Sequence, residues 1–285
     1  MNIMRFRPAF FCFSFLILAL SLFSLYFWRF QPSIDFSGGT VYEIQFSRVV
    51  DQAVITTIFT RLKINLISQS FTTANLLTLK FEPIDQTQKL QLTDSLKALD
   101  PQLTELRFVT LGPLLGQELL SKTVAAIILA SIVLLVFIGR RFNDLSFGLA
   151  AVLAMFHDSL ILTGSFSLLG HFFGAELDSL FVTALLTTLS ASVHDTVVTF
   201  DRIRELRRKN PRLEWVNLAN HSVTEVIVRS LNNSMTIIFM LIALVVLGGP
   251  TTRWFALALL IGCVCGTYSS TGVAIPLVLW LKRKK

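Results

Sequence analysis

Charged residues are scarce in this chain. They make up 15% of its 285 residues, whereas 53% are hydrophobic and the mean hydropathy is +0.66. A soluble domain usually carries about 25% charged residues, because water must wet its surface. The formal net charge is +7, but the basic residues fall at the ends of apolar runs and in loops. We therefore predict an integral membrane protein with no nucleic-acid partner.

Cysteine and histidine are also rare. The three cysteines, Cys12, Cys263 and Cys265, all lie in strongly apolar runs, and the four histidines are spread along the chain. No close Cys/His spacing indicates a zinc site, and no cysteine pattern indicates a disulfide framework. The pair Gly38 and Gly39 is not followed by Lys-Ser/Thr, which excludes a phosphate-binding loop. We predict no metal, no cofactor and no enzymatic activity.

Long apolar runs are abundant. A spanning helix needs about 20 mostly apolar residues, and six runs satisfy this requirement: 10–28, 123–138, 145–169, 177–200, 230–247 and 255–281. The first run follows Arg5 and Arg7 and exceeds the core of a signal peptide, which is about 7–15 residues long. We therefore interpret it as a retained anchor in a protein with six transmembrane helices.

Residues 31–118 differ in composition from the rest and predict a folded domain outside the membrane. In 41–47, Tyr42, Ile44 and Phe46 alternate with polar residues, as in a strand with one buried face. Two helices are predicted at 51–62 and 86–99, and further strands at 65–71, 76–81 and 103–110. The order β-α-β-β-α-β predicts a ferredoxin-like α+β domain.

The distribution of Lys and Arg predicts the orientation. The segments assigned to the cytoplasm carry nearly all of the basic loop residues: Arg5, Arg7, Arg140, Arg141, Arg202, Arg204, Arg207, Arg208, Lys209, Arg212, Lys282, Arg283, Lys284 and Lys285. By the positive-inside rule both termini are cytoplasmic, in the inner membrane of the cell. The predicted parts are residues 1–30 (N-terminus and first helix), 31–118 (periplasmic domain) and 119–285 (five helices, with a cytoplasmic loop at 201–228 and a basic tail).

Two His-Asp pairs lie within apolar runs, His157–Asp158 and His194–Asp195. An ionisable residue at bilayer depth usually faces a protein interior or water. A polar stripe at helical spacing accompanies the second pair and consists of Thr188, Ser192, Asp195 and Thr199. Two interpretations are open: interhelical hydrogen bonds that only hold helices together, or a functional site. Arg229 is either a snorkelling anchor or a partner of Asp195.

Four motifs in order resemble the SecD/SecF family of protein-export membrane proteins. They are Asp35-Phe36-Ser37-Gly38-Gly39-Thr40, the pair His157-Asp158, the run His194-Asp195-Thr196-Val197-Val198-Thr199-Phe200-Asp201-Arg202-Ile203-Arg204-Glu205, and Gly266-Thr267-Tyr268-Ser269-Ser270. The likeness covers nearly the whole chain. The chain departs from the pattern at His194, where the family usually has Asn, and at Ser230 and Asn233, where it usually has Thr.

The resemblance implies half of an RND-type transporter fold and an accessory role in Sec-dependent export. Its partners would be SecD, the SecYEG channel, YajC and precursor proteins in transit, with the proton motive force as energy source. By motif, Asp195 would be the membrane aspartate of the proton path and Arg229 its basic neighbour, with His194, His157 and Asp158 as further candidates. Asp201 and Arg202 have no obvious chemistry and are interpreted as a charged helix end.

Three other functions compete with this interpretation. Half of an RND-type exporter for small molecules or lipids would need a substrate pocket in the external domain, and residues 31–118 show no concentration of aromatic or charged residues for one. A purely structural scaffold would make no use of the gradient. An intramembrane protease using Asp158 and Asp195 would need flanking motifs that the sequence does not contain.

Overall fold

A computed structural model of the chain describes residues 2–73, 75–142 and 144–283. In this part of the chain, six helices are long and apolar enough to cross a membrane. Lys284 and Lys285 of the predicted basic tail lie outside the described residues. The chain divides into two compact units, with the boundaries between residues 31 and 32 and between residues 124 and 125.

The smaller unit is an antiparallel sheet with two helices. In chain order its elements are α2 (Ile34–Ser37), β1 (Gly39–Gln45), α3 (Gln52–Arg61), β2 (Leu66–Thr73), β3 (Leu76–Phe81), α4 (Gln86–Leu99) and β4 (Thr104–Leu111). The strand order β2-β3-β1-β4, with every neighbouring pair antiparallel, confirms the predicted ferredoxin-like arrangement. The helix α1, which precedes this unit, spans Arg7–Phe27 after a short 3₁₀ turn at Ile3–Phe6.

The core of the small unit follows from the alternation in its first strand. Tyr42, Ile44 and Phe46 are 0–2% exposed and pack with the apolar faces of both helices. Asp51 caps the N-terminus of α3, and Asp85 forms a reciprocal capping box with Gln88 at the start of α4. These caps satisfy backbone N–H groups that have no partner within the helix, so each helix begins where the sequence predicts.

The larger unit consists of long helices. After α1 it contains α5 (Pro113–Phe142, which begins in the small unit), α6 (Leu145–Phe173), α7 (Ser179–Lys209), α8 (Trp215–Leu247), α9 (Pro250–Ser269), a π-helical segment (Ser270–Ala274) and α10 (Ile275–Arg283). Large apolar side chains such as Phe15, Leu129 and Met240 are 63–73% exposed on the outer faces. An outer surface this apolar fits lipid better than water.

Residues 201–228, predicted to be a cytoplasmic loop, are mostly helical in the structure. Helix α7 continues to Lys209 and α8 begins at Trp215, so only residues 210–214 connect them. Hydropathy detects the lipid-crossing part of a helix, whereas Arg, Lys, Glu and Leu are good helix formers that extend it beyond the apolar run. At the start of α8, the ring of Trp215 contacts a cation of α7 and one of α10. Its centroid is 4.7 Å from the guanidinium carbon of Arg207 and 4.8 Å from Nζ of Lys282.

Small residues bring α7 and α9 close together. A Cβ atom added to Gly262 would overlap the side chain of Thr188, and one added to Gly266 would lie 3.0 Å from Cβ of Ser192. The two glycines are four residues apart and therefore share one face of α9. This close approach places the polar stripe of α7 directly against the last span, as small residues do at helix interfaces in membranes.

Candidate functional site

Asp195 lies in an open groove between α7, α8 and α9, with a volume of about 710 Å³. Its lining combines apolar residues with small and hydroxyl-bearing ones and the carboxylate: Leu186, Ala191, Ile237 and Cys263 together with Thr183, Thr187, Ser190, Ser192, His194, Asp195, Asn233, Ser234, Gly262, Gly266 and Thr267. The Asp195 side chain is 15% exposed. A half-buried carboxylate among hydroxyls is suited to exchanging a proton with water in the groove.

The Asp195 carboxylate has two polar neighbours. Ser230 of α8 donates its hydroxyl to Oδ2 of Asp195 over 3.0 Å. On the other side, Nδ1 of His194 lies 3.7 Å from Oδ1, which is ion-pair range when the imidazole is protonated. The His194 side chain is 73% exposed. The basic group nearest to this carboxylate among the described ion pairs is therefore a histidine, whose charge depends on pH.

Arg229, the other predicted member of the site, is exposed and lines a groove of about 500 Å³ with Asp201, Arg202 and Glu225. Among the ion pairs of the described residues, none joins Arg229 to Asp195. The hydrogen bond that α8 provides to this carboxylate comes from the adjacent residue, Ser230.

Asp158 is the centre of a second, fully buried cluster. It is 4% exposed, and its Oδ2 accepts hydrogen bonds of 2.6 Å from Ser192 of α7 and 2.6 Å from Ser269 of α9. Its Oδ1 lies 3.0 Å from Nδ1 of His157. One carboxylate thereby joins three helices. Nε2 of His157 is buried without a hydrogen-bond partner in the described structure.

The last span is interrupted beside this cluster. The π-helical segment begins at Ser270, directly after Ser269, and single π-helical turns within α-helices frequently mark functional sites. Tyr268, one residue earlier, donates its hydroxyl to the carbonyl of Phe10 over 2.9 Å and contacts Ser14 over 2.9 Å. The Gly266–Ser270 motif therefore connects the last span to the first helix and to Asp158.

The segment around Asp201 and Arg202 is an ion-pair network. Asp201 accepts from Arg141 of α5 over 2.7 Å, and Arg202 pairs with Glu225 of α8 and with Glu205. These contacts tie the ends of α5, α7 and α8 together. The predicted charged helix end is therefore present at the end of α7, where acidic and basic side chains form ion pairs with one another.

The glycine pair after the first span has the backbone conformation that its residues suggest. Gly38 and Gly39 have φ angles of +73° and +135°, which residues with a Cβ rarely adopt. A Cβ at Gly39 would lie 3.2 Å from the carbonyl oxygen of Phe81. Thr40 then joins β4 through its hydroxyl, 3.0 Å from that of Thr110. Asp35 lies in the first turn of the helix that Ser33 caps.

Two features of the site escape sequence reasoning. The stripe Thr188–Ser192–Asp195–Thr199 predicts one polar face, but Ser192 donates to Asp158 whereas Asp195 accepts from Ser230. The π-helical segment has no signal in the sequence beyond the small residues within it.

In the described part of the chain, no group of three or more His, Cys, Asp or Glu residues is arranged to hold a metal ion.

Six spans, a ferredoxin-like domain and two carboxylates between the helices define a polytopic membrane protein with a polar interior. Residues 91–284 match the family model for protein export membrane protein SecD/SecF, C-terminal, and residues 29–48 match the SecD/SecF GG motif. The chain belongs to the SecD/SecF family.

Relatives and solved structures agree with this assignment. Protein translocase subunit SecF of Thermobaculum terrenum is 39% identical and is aligned over 98% of this chain and 93% of its own length. The subunit of the same name from Anaerolinea thermophila is 34% identical, over 98% and 94%. The crystal structure of SecDF from Thermus thermophilus, a translocon-associated membrane protein, superposes with a TM-score of 0.83 at 31% identity, covering 99% of this chain.

The chain spans only 39% of that SecDF chain. The predicted family, fold class and accessory role in Sec-dependent export are confirmed by these matches. These matches do not favour the alternative, in which the chain would be half of an exporter of small molecules or lipids.

Proposed function

We propose that this chain, together with a SecD partner, uses the proton motive force to promote protein export through the SecYEG channel. The observation that carries the proposal is Asp195, a half-buried carboxylate in a groove lined by hydroxyl groups within the spanning helices. The SecD partnership is supported by the SecDF structure, of which this chain matches 39%. The protein acts as a subunit of the translocase and not as an enzyme.

The site is suited to a carboxyl group that gains and loses a proton as its surroundings change. An apolar environment favours a neutral carboxyl group, whereas a hydroxyl donor or a nearby cation favours the ionised one. Ser230 supplies the donor, and protonated His194 supplies the cation. Because the groove is open along α7, α8 and α9, a moving neighbour can change the water around Asp195. Arg229 is proposed to tune this balance from the adjacent groove.

The proposed placement is the inner membrane, with both termini in the cytoplasm and the ferredoxin-like domain in the periplasm. It is supported by the asymmetry of Lys and Arg in the sequence. The proposed partners are SecD, SecYEG and YajC, with precursor proteins in transit as cargo.

Asp195→Asn tests the proposal. Asparagine keeps the size and can still accept from Ser230, but it cannot titrate, so insertion and assembly with SecD should be normal. We expect the variant to lose the gradient-dependent part of precursor translocation into inverted vesicles. Asp94→Asn is the matched control, since it is the same substitution at an exposed position on α4, in the small unit. Full gradient stimulation in an assembled Asp195→Asn complex would refute the proposal.

A further inference from the structure

We propose that His157 and Asp158 form a second proton-binding site, buried behind the groove of Asp195 and connected to it by the hydroxyl of Ser192. This inference rests on the proposed function, since it extends the proton path from Asp195 into the helix bundle. The proposal assigns proton binding to the cluster around Asp158, which lies outside the groove of Asp195.

The hydrogen bonds around Asp158 are those that its ionised form can make. Oδ2 of Asp158 accepts from two hydroxyls, those of Ser192 and Ser269, and Oδ1 faces Nδ1 of His157. An ionised carboxylate only accepts hydrogen bonds, so Nδ1 carries the proton that it donates. The remaining imidazole nitrogen, Nε2, then has a free lone pair and no partner among the described residues. In this state the pair has a charge of −1.

Among the described residues, no Lys or Arg is paired with this cluster. The titratable groups facing the pair from α9 are Cys265 and Tyr268, whose ring centroid is 6.4 Å from that of His157. The titratable residues of α7 next to Ser192 are His194 and Asp195, and both line the groove. On α1, the hydroxyl of Ser14 contacts that of Tyr268 over 2.9 Å. The charges of α10 are at its end, where Lys282 pairs with Asp144.

Asp144 precedes Asp158 by 14 residues, which is about 21 Å along α6. Within the part of the chain that the structure describes, no Lys or Arg forms an ion pair with Asp158. A lone buried anion in a membrane is unfavourable, and binding one proton removes it.

Ser192 supplies the connection. Ser192 is 3% exposed and is among the residues that line the groove of Asp195, and its hydroxyl donates to Asp158. Ser192 and Asp195 are three residues apart on α7 and are therefore neighbours on its surface. In the transfer, the Ser192 oxygen accepts a proton from a hydronium ion in the groove, which becomes water, while its own hydroxyl proton passes to Oδ2 of Asp158. The pair gains one proton and its charge changes from −1 to 0, shared as a coupled unit.

Protonation has a structural consequence at the last span. Once Oδ2 carries a proton, it is a weaker acceptor for the hydroxyls of Ser192 and Ser269, which join α7 and α9 through it. Ser269 is the last residue before the π-helical segment Ser270–Ala274. Loading the buried pair therefore loosens the contact between α7 and α9 where α9 changes its helical type. This provides a route from proton binding to helix movement.

Two serine variants form a matched pair for the test. Ser192→Ala and Ser269→Ala each remove one 2.6 Å donor from the same oxygen, but only Ser192 lines the groove. We measure gradient-stimulated precursor translocation with the assembled complex in inverted vesicles, in H₂O and in D₂O. In Ser192→Ala we expect the gradient stimulation to fall at least about fivefold and its solvent isotope effect to disappear. In Ser269→Ala we expect at least half of the stimulation and half of the isotope effect to remain. Equal losses in the two variants would overturn the inference.

Infrared difference spectra of the purified complex, recorded between acidic and alkaline pH, give a second readout that does not depend on transport. We expect one protonated-carboxyl band that disappears in Asp158→Asn and another that disappears in Asp195→Asn. An unchanged spectrum in Asp158→Asn would also overturn the inference. If Asp195→Asn keeps full gradient stimulation, the proposed function itself fails. If Asp195→Asn loses the stimulation while the two serine variants behave alike, only the second site fails.

Discussion

The hydroxyl of Ser230 on α8 donates to Oδ2 of Asp195 on α7 over 3.0 Å. The sequence left open whether the adjacent residue, Arg229, is an anchor or a partner of this carboxylate, and the hydrogen bond from α8 comes from the neutral hydroxyl of Ser230. A neutral donor stabilises the ionised carboxylate less than a fixed cation does, and its hydrogen can turn toward another acceptor. The contact of α8 with Asp195 is therefore a neutral hydrogen bond and not an ion pair.

Ser230→Ala should weaken gradient-stimulated export, because it removes that donor from Asp195. A hydrogen bond to a charged group contributes about 1.5–3 kcal/mol, so we expect a loss of roughly tenfold in the stimulated component. Ser230→Thr keeps the hydroxyl and should retain most of it. Thr236→Ala is the control, since Thr236 lies on the same helix and donates to the carbonyl of Asn232. Equal stimulation in the Ala and Thr variants at position 230 would contradict the assigned role.

The fold was largely predictable because its signals are local. Alternation of Tyr42, Ile44 and Phe46 and the six apolar runs depend on short stretches of sequence, and each element forms where its pattern predicts. The helix ends were less predictable. Residues 201–228 lack the apolar character of a span, but α7 and α8 continue through most of them, held by pairs such as Arg202–Glu225. Hydropathy carries no information on such contacts between distant residues.

The two carboxylates within the spanning helices were predictable from the sequence, but their hydrogen-bond partners were not. Asp158 and Asp195 stand out in the sequence because a carboxylate in an apolar run is costly. Which hydroxyl faces which carboxylate depends on the rotation of each helix, and one step of 100° separates Ser230 from Arg229. The π-helical segment at Ser270–Ala274 further changes the faces of the last span. These choices are made by packing between helices, which a single sequence does not encode locally.

Gly262→Ala and Gly266→Ala should destabilise the protein in detergent. The added methyl at Gly262 overlaps Thr188, and that at Gly266 lies 3.0 Å from Cβ of Ser192, so α7 and α9 must separate. Overpacking of this kind typically costs about 1–3 kcal/mol, and we expect a lower apparent melting temperature for both. Gly249→Ala is the matched control, because a Cβ there meets nothing within 4 Å. Melting temperatures equal to the control would show that this contact is not close in the membrane protein.

Single cysteines at positions 86 and 209 should report opposite sides of the membrane. Gln86 and Lys209 are both exposed, and the distribution of basic residues assigns them to the periplasm and the cytoplasm. In a variant without Cys12, Cys263 and Cys265, a membrane-impermeant thiol reagent applied to intact cells should label Gln86→Cys alone. Lys209→Cys should be labelled only after the cytoplasm is opened. The reverse pattern would invert the proposed orientation.

The acid stability of the ferredoxin-like domain should depend on Asp100. Oδ2 of its carboxylate accepts from both the hydroxyl and the backbone N–H of Ser47, each over 2.7 Å. These hydrogen bonds, the hydroxyl first, hold the pKa of Asp100 below its ordinary value in the folded state. An unfolded chain has an Asp pKa of about 3.9, so the stabilisation is fully present above that value and is lost as the pH falls through the lower, folded pKa.

In a fragment of residues 33–118 with an α/β circular dichroism spectrum, Asp100→Asn should melt several degrees below the unmodified fragment at pH 7. The difference should shrink as the pH is lowered from 5 to 2, because the unmodified fragment then loses the contribution that the variant never had. Asp94→Asn, an exposed position on α4, controls for the change in net charge and should follow the unmodified fragment. A difference between Asp100→Asn and the unmodified fragment that stays constant from pH 7 to pH 2 would mean that the carboxylate stabilises the domain through its shape and not through its charge.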